Sequence, residues 1–191
     1  VGVSVVNALS KWLKAEVHRS GTIYYQEYER GFAKTKVNRN GTTKVTGTVV
    51  TFEPDPEVFK TIQFDEERIL QHLRDQAYLT KGILIRLIDY RDPKRMGDLA
   101  LDSAKNLFLA QVSDVSPHSY SLYFEGGIVS FIKYLNSEDE ASHENIFYIN
   151  QEEQNILVEI AFQYINDIAT KELSFANNIN TGEGGMHLTG F

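Results

Sequence analysis

The sequence predicts an α+β protein, and three observations carry that class. Some stretches alternate apolar and polar residues in the strand period, as in ILVEIAFQYI at 156–165. Others repeat apolar residues at helical spacing, as in DEERILQHLRDQAYLTKG at 65–82. The two kinds intermix along all 191 residues, joined by short turns that favour antiparallel pairing.

Taken in order, Val5, Val6, Leu9, Trp12 and Leu13 recur at helical spacing and predict an amphipathic helix over 4–13. Gly2, just before it, leaves backbone N–H groups free at a helix start, where an anion can be received; an ordinary buried helix start would read the same way. Residues 15–28 alternate and turn at Ser20–Gly21, which predicts a hairpin. Residues 44–54 are rich in β-branched residues and stop at Pro54, so they read as a strand. Over 65–82, Asp65 can cap a helix whose first turn is acidic. Its face is Ile69, Leu70, Leu73 and Ala77, and Gly82 ends it. ILIRLIDY at 83–90 is apolar on both faces apart from Arg86, the pattern of a central strand. Residues 91–117 begin with a turn and continue as a short helix or an extra strand. A strand at 119–124 then leads into a helix at 125–136 faced by Ile128, Phe131, Ile132 and Leu135. The runs 146–149 and 156–165, separated by NQEEQN, predict a hairpin, and 172–180 a further strand. The Gly-rich ending turns amphipathic at its close.

Composition narrows the function. Hydrophobic residues make up 42%, and no apolar run is long enough to span a bilayer, so no membrane partner is expected. The absence of Cys removes disulfides and thiolate chemistry and fits a cytoplasmic location. A net charge of −7 makes the chain by itself a poor clamp for DNA phosphates. That charge is uneven. Residues 1–137 hold 18 of the 19 Lys and Arg, whereas 138–191 hold only Lys171 against ten acids. The shift falls at the polar run NSEDEASHEN and suggests a domain boundary near 137, dividing the chain into 1–137 and 138–191; a solvated loop before an acidic surface is the plainer alternative.

Spacing alone yields few chemical constellations. The histidines, at 18, 72, 118, 143 and 187, form no pair at metal-ligand spacing. GEGGMH lacks the Lys and Ser/Thr of a phosphate-binding loop, and the acidic run at 138–140 reads as a solvated surface.

Four blocks carry a resemblance: GVSVVNALS (2–10), TGTVVTFEPDPEVF (46–59), YFEGGIVSFIKYLN (123–136) and NNINTGEGGMHLTGF (177–191). They resemble, in order and at compatible separations, the ATPase half of the bacterial type IIA topoisomerase family, DNA gyrase B and its paralogue in topoisomerase IV. HLRDQAYLTKG (72–82) is similar too, and the resemblance covers about residues 1–92 and 118–191. It implies that 1–137 is the later part of a GHKL-type ATPase domain, a mixed sheet with helices on one face. It implies that 138–191 is the start of a ribosomal-protein-S5-like transducer domain. The cofactors implied are ATP and Mg²⁺. The partners implied are DNA and gyrase A, within an enzyme whose ATPase component forms a homodimer.

The resemblance also assigns residues. Val1, Gly2, Val3 and Ser4 match the end of the family's ATP lid, where backbone N–H groups donate to phosphates. Thr48 matches the threonine beside the adenine, where a hydroxyl can bond a ring nitrogen or an ordered water. Val50 would line the adenine pocket, and Arg19 would stand at its mouth, where aminocoumarin inhibitors bind in this family. A core valine and a solvated hairpin arginine remain the alternatives for those two, and a strand threonine in a polar pair for Thr48. No catalytic residue and no metal ligand can be assigned. The family's general-base Glu, its Mg²⁺-binding Asn and its adenine-reading Asp would precede Val1, and the transducer Lys would follow Phe191. The expectation is therefore an internal fragment that does not hydrolyse ATP alone. Two departures stand out: residues 93–117 are longer and more apolar than is usual in the family, and Met186 stands where a Thr is common. Beside the gyrase reading stand the paralogue, which favours decatenation, and a noncatalytic interaction module that retains the fold.

Overall fold

The structure is a computed structural model describing residues 2–89, 91 and 119–191. The expectations for 92–117, including the turn and the extra helix or strand, lie outside the described residues. The chain divides into two compact units. The first holds residues 2–64 and 91, and the second 65–89 and 119–191, counting the described residues. The charge shift at 137 falls inside the second unit, so the compact units and the proposed domain division are different partitions.

The first unit opens with helix α1 (Gly2–Ala8) and continues, after Leu9, into strand β1 (Ser10–Arg19). The helix expected over 4–13 is therefore cut at Ala8, and Trp12 and Leu13 lie in a strand. The cause is visible at the seam. The Ser10 hydroxyl donates to the Val6 carbonyl at 2.6 Å, occupying a carbonyl of the last helical turn. From there the chain pairs on both sides, a gain no further helical turn would match. Strands β2 (Thr22–Glu29), β3 (Phe32–Ala33), β4 (Asn38–Thr42) and β5 (Gly47–Pro54) complete an antiparallel sheet. Its order is β3–β2–β1–β5, with β4 also on the outer edge of β2. The expected turn is present: Ser20 and Gly21 both have positive φ, the turn that matches strand twist. Arg30 and Gly31 repeat that geometry between β2 and β3. β5 starts at Gly47 rather than 44 and ends at Pro54 on the sheet edge, where a missing N–H costs no ladder bond.

The second unit is built on helices α2 (Glu66–Leu79) and α3 (Ile128–Leu135). Asp65 caps α2 as expected, its carboxylate accepting from the Arg68 N–H at 3.1 Å. Gly82, at φ +78°, turns the chain after the helix. The core is aromatic. Tyr78 lies between Phe124 and Phe131, with ring centroids 3.7 and 4.6 Å away, and Ala77 and Leu122 are buried beside it. Strands β6 (Ile85–Ile88) and β7 (Ser119–Leu122) pair with each other. Among the described residues β6 has no second neighbour, so the central position expected for 83–90 is not found there. Strands β8 (Phe147–Glu153) and β9 (Ile156–Phe162) form the expected hairpin with shifted bounds: the first strand runs on through 150–153, expected as connection, the second stops at Phe162, and the turn is Gln154–Asn155 with positive φ at both.

One expectation fails for a local reason. Residues 172–180 form not a strand but a tight hairpin, β10 (Phe175–Ala176) and β11 (Ile179–Asn180). Asn177 and Asn178 turn it at φ +50° and +63°, a conformation asparagine tolerates better than most residues. Helix α4 (Met186–Gly190) closes the chain.

Candidate functional site

Register decides what the sheet presents. Thr48 stands opposite Val17 and Val50 opposite Ala15 across β1 and β5. Residues directly opposite share a face, and alternate residues along a strand return to it. Arg19, two beyond Val17, therefore lies on the same face as Thr48 and Val50; it is diagonal to Thr48, a spacing of about 7–8 Å between Cα atoms, and Val50 is one pair further along the strand. Phe52 joins them opposite Leu13, and Tyr24 stands opposite Val17 on the β2 side. The face is open: Val17 is 37% exposed, and Val50 and Phe52 are each 43% exposed.

α1 belongs to this face as well. Val5, Val6 and Leu9 line an apolar groove of about 260 Å³ together with Phe52, Pro54 and residues 59 and 61–64. Since Phe52 is on the Thr48 face, the groove that α1 lines opens at the Leu13 end of that face. Gly2, Val3 and Ser4 form the first turn of α1 and are exposed, and a Cβ built on Gly2 meets nothing within 4 Å. Val1 lies outside the described residues. Thus Arg19, Thr48 and Val50 share one face, and Gly2–Ser4 begin the helix that lines the groove at that face's other end.

Sequence reasoning missed one neighbour. Arg39 on β4 pairs with Tyr24, and its guanidinium carbon stands 5.6 Å from the Tyr24 ring centroid. It adds a second cation to the face. Nothing in the spacing of 39 and 24 signals this, because the pairing includes an irregularity in register.

The opposite face is a different environment. Lys14 and His18 are buried there, and both contact Glu16 at 2.8 Å. His18 Nδ1 is 2.9 Å from the Thr43 hydroxyl. Burial works against ionising Glu16, but the hydrogen bonds from Lys14 and His18 outweigh it and hold its carboxyl below the usual range.

These features can be set against a nucleotide. The Thr48 face offers a hydroxyl, aliphatic walls and two arginines, a donor set that fits a purine with phosphates nearby. Gly2 leaves room for close approach to the α1 backbone. Among the described residues no group of three His, Cys, Asp or Glu could hold a metal ion.

Comparison with known proteins gives the class. The fold matches the 43K ATPase domain of Thermus thermophilus gyrase B, solved in complex with an aminocoumarin, with a TM-score of 0.77 and 31% identity. That match covers 98% of this chain and 45% of the other. A B-subunit of the DNA gyrase from Myxococcus xanthus shares the fold with a TM-score of 0.76 at 19% identity, over 96% and 48% of the two chains. The architecture is thus the α+β fold of a gyrase-type ATPase region, GHKL domain and transducer. Sequence narrows it further. Residues 127–191 match the DNA gyrase B family. The whole chain aligns with DNA gyrase B of Staphylococcus aureus at 42% identity and of Halalkalibacterium halodurans at 39%, covering 27% and 26% of those proteins. Over its whole length the chain is therefore similar to DNA gyrase B, and it spans about a quarter of the length of those relatives. No helix among the described residues is long and apolar enough to cross a membrane.

Proposed function

We propose that this chain is part of the ATP-binding subunit of a bacterial type IIA DNA topoisomerase of the gyrase kind. One observation carries the reading. The residues that family likeness assigns to the nucleotide are Arg19, Thr48 and Val50, with the α1 segment beginning at Gly2. The three side chains share a single open sheet face although β1 and β5 are far apart in sequence, and α1 lines the groove at the other end of that face. Adenine would lie against Thr48 and Val50, with Arg19 at the mouth of the site. The Gly2–Ser4 backbone, with Val1, would donate to the phosphates. Residues 1–137 would form the later part of the GHKL domain, and 138–191 the start of the transducer.

In the working enzyme, ATP binding would close a homodimeric gate, with Mg²⁺ supplying charge neutralisation at the phosphates when bound, and the ATPase component would work with gyrase A on cytoplasmic DNA. Hydrolysis is coupled to passing one duplex through another, with negative supercoiling as the result. No residue of this chain matches the family's general-base Glu, and these 191 residues alone are expected not to turn over ATP.

The experiment is reconstitution of the whole subunit containing this chain with its partner subunit on relaxed circular DNA. ATP-dependent negative supercoiling, needing more ATP in Thr48→Val, is the expected result. Decatenation without supercoiling would assign the chain to the paralogue. Neither activity, with no ATP binding, would leave only an interaction module.

A further inference from the structure

α1 and β1 are separated by one residue, and that junction is gripped from two sides. The Asp55 N–H donates to the Leu9 carbonyl at 3.1 Å, and the Arg30 N–H donates to the Ser10 carbonyl at 3.0 Å. The two gripping residues then bind each other. Arg30 Nε donates to Asp55 Oδ2 at 2.6 Å, and a second guanidinium nitrogen reaches Glu57 at 2.6 Å. The Glu57 N–H donates to the other Asp55 oxygen at 2.9 Å. Asp55 is 1% exposed, and the Glu57 amide holds its carboxyl below the usual range; burial opposes this and Arg30 assists it. The turn carrying Arg30 also runs close to the helix end: a Cβ on Gly31 would lie 3.3 Å from Ala8 Cα. The turn after β2 and the chain leaving β5 thus meet at Leu9–Ser10 and are bolted together there.

We infer that Arg30 and Asp55 are positioning residues that fix the angle between α1 and the β5 face, so that Gly2–Ser4 and Thr48 can engage one nucleotide. This rests on the nucleotide reading above. The pair touches no ligand itself. It acts through Leu9 and Ser10, and β5, which carries Thr48, runs directly into Asp55. A clamp of merely structural value would lower stability and leave the balance between the two ends of the ligand untouched.

The test uses the whole subunit containing this chain, unaltered and as Arg30→Ala, Asp55→Asn, Arg30→Lys and Thr48→Val. Calorimetry measures binding of a non-hydrolysable ATP analogue and of adenosine, which has no phosphates. Hydrogen exchange follows residues 3–10 and, as a control, 13–18. Arg30→Ala and Asp55→Asn are expected to weaken the triphosphate about tenfold, the scale of one lost phosphate contact. Adenosine binding should stay within about twofold, since neither residue is on the adenine side. Exchange should quicken over 3–10 and hold over 13–18. Arg30→Lys, which keeps the charge but loses the fork, should recover part of the affinity. Equal weakening of both ligands, no change in either, or unchanged exchange over 3–10 would overturn the inference. If the unaltered protein binds neither ligand, the nucleotide reading falls and takes the inference with it. If it binds both, with Thr48→Val impaired and the Arg30 and Asp55 variants not, the inference alone falls. Asp55→Asn is nearly isosteric and serves if Arg30→Ala does not fold.

Discussion

Replacing Thr48 by Val exchanges one hydroxyl for one methyl at a position whose structural demands are small. Thr48 is exposed on β5, opposite Val17, and Val is at least as good a strand residue. Stability should stay within about 0.5 kcal/mol of the parent. The nucleotide is another matter. If the hydroxyl bonds an adenine ring nitrogen within a closed site, Val leaves that nitrogen without a partner. Such a loss costs about 1–3 kcal/mol. At 1.4 kcal/mol per factor of ten, Kd for ATP rises about 5- to 150-fold. The assay is calorimetric titration of the whole subunit with a non-hydrolysable ATP analogue, beside a urea unfolding curve. Thr48→Ser keeps the hydroxyl and should stay near the parent. Parental affinity in Thr48→Val, or a loss of stability in step with affinity, would refute the reasoning.

Three further outcomes are expected. Phe131→Ala removes a buried ring stacked on Tyr78 at 4.6 Å and should cost the second unit about 3–5 kcal/mol, read from its urea unfolding curve. The Asp55 carboxyl is held low when folded, so its contribution is present above the ordinary Asp range and fades as pH falls through the folded value. Asp55→Asn should accordingly flatten the acid limb of a plot of unfolding midpoint against pH; an unchanged limb would count against the assignment. The 191-residue chain on its own should show no ATP turnover above a no-protein control in a phosphate-release assay.

How much of this was legible in the sequence depended on whether the signal was local. The Ser20–Gly21 and β8–β9 turns and the Asp65 cap each lie within a few residues of what they control, and each appears as expected. The α1–β1 seam was not legible. Leu9, Trp12 and Leu13 fit a helical stripe, and the Ser10 hydroxyl that closes the helix leaves no mark in the periodicity. Asn177–Asn178 did carry a turn signal, but the apolar residues around it made the stretch look like one strand. For the candidate site, family likeness supplied Arg19, Thr48 and Val50 singly. That they share a face depends on the pairing of β1 with β5, roughly 30 residues away in the chain. Arg30 and Asp55 escaped notice because their contact joins two turns 25 residues apart, and neither turn shows a motif.

The central claim is that ATP binds on the Thr48 face, and photolabelling tests it most directly. The whole subunit is irradiated with 8-azido-ATP, and the labelled peptides are mapped by mass spectrometry. Label is expected on β1 between Ala15 and Arg19 or on β5 between Gly47 and Phe52, suppressed by excess ATP and weakened in Thr48→Val. Competable label confined to other parts of the protein, with these two strands unmarked, would contradict the claim.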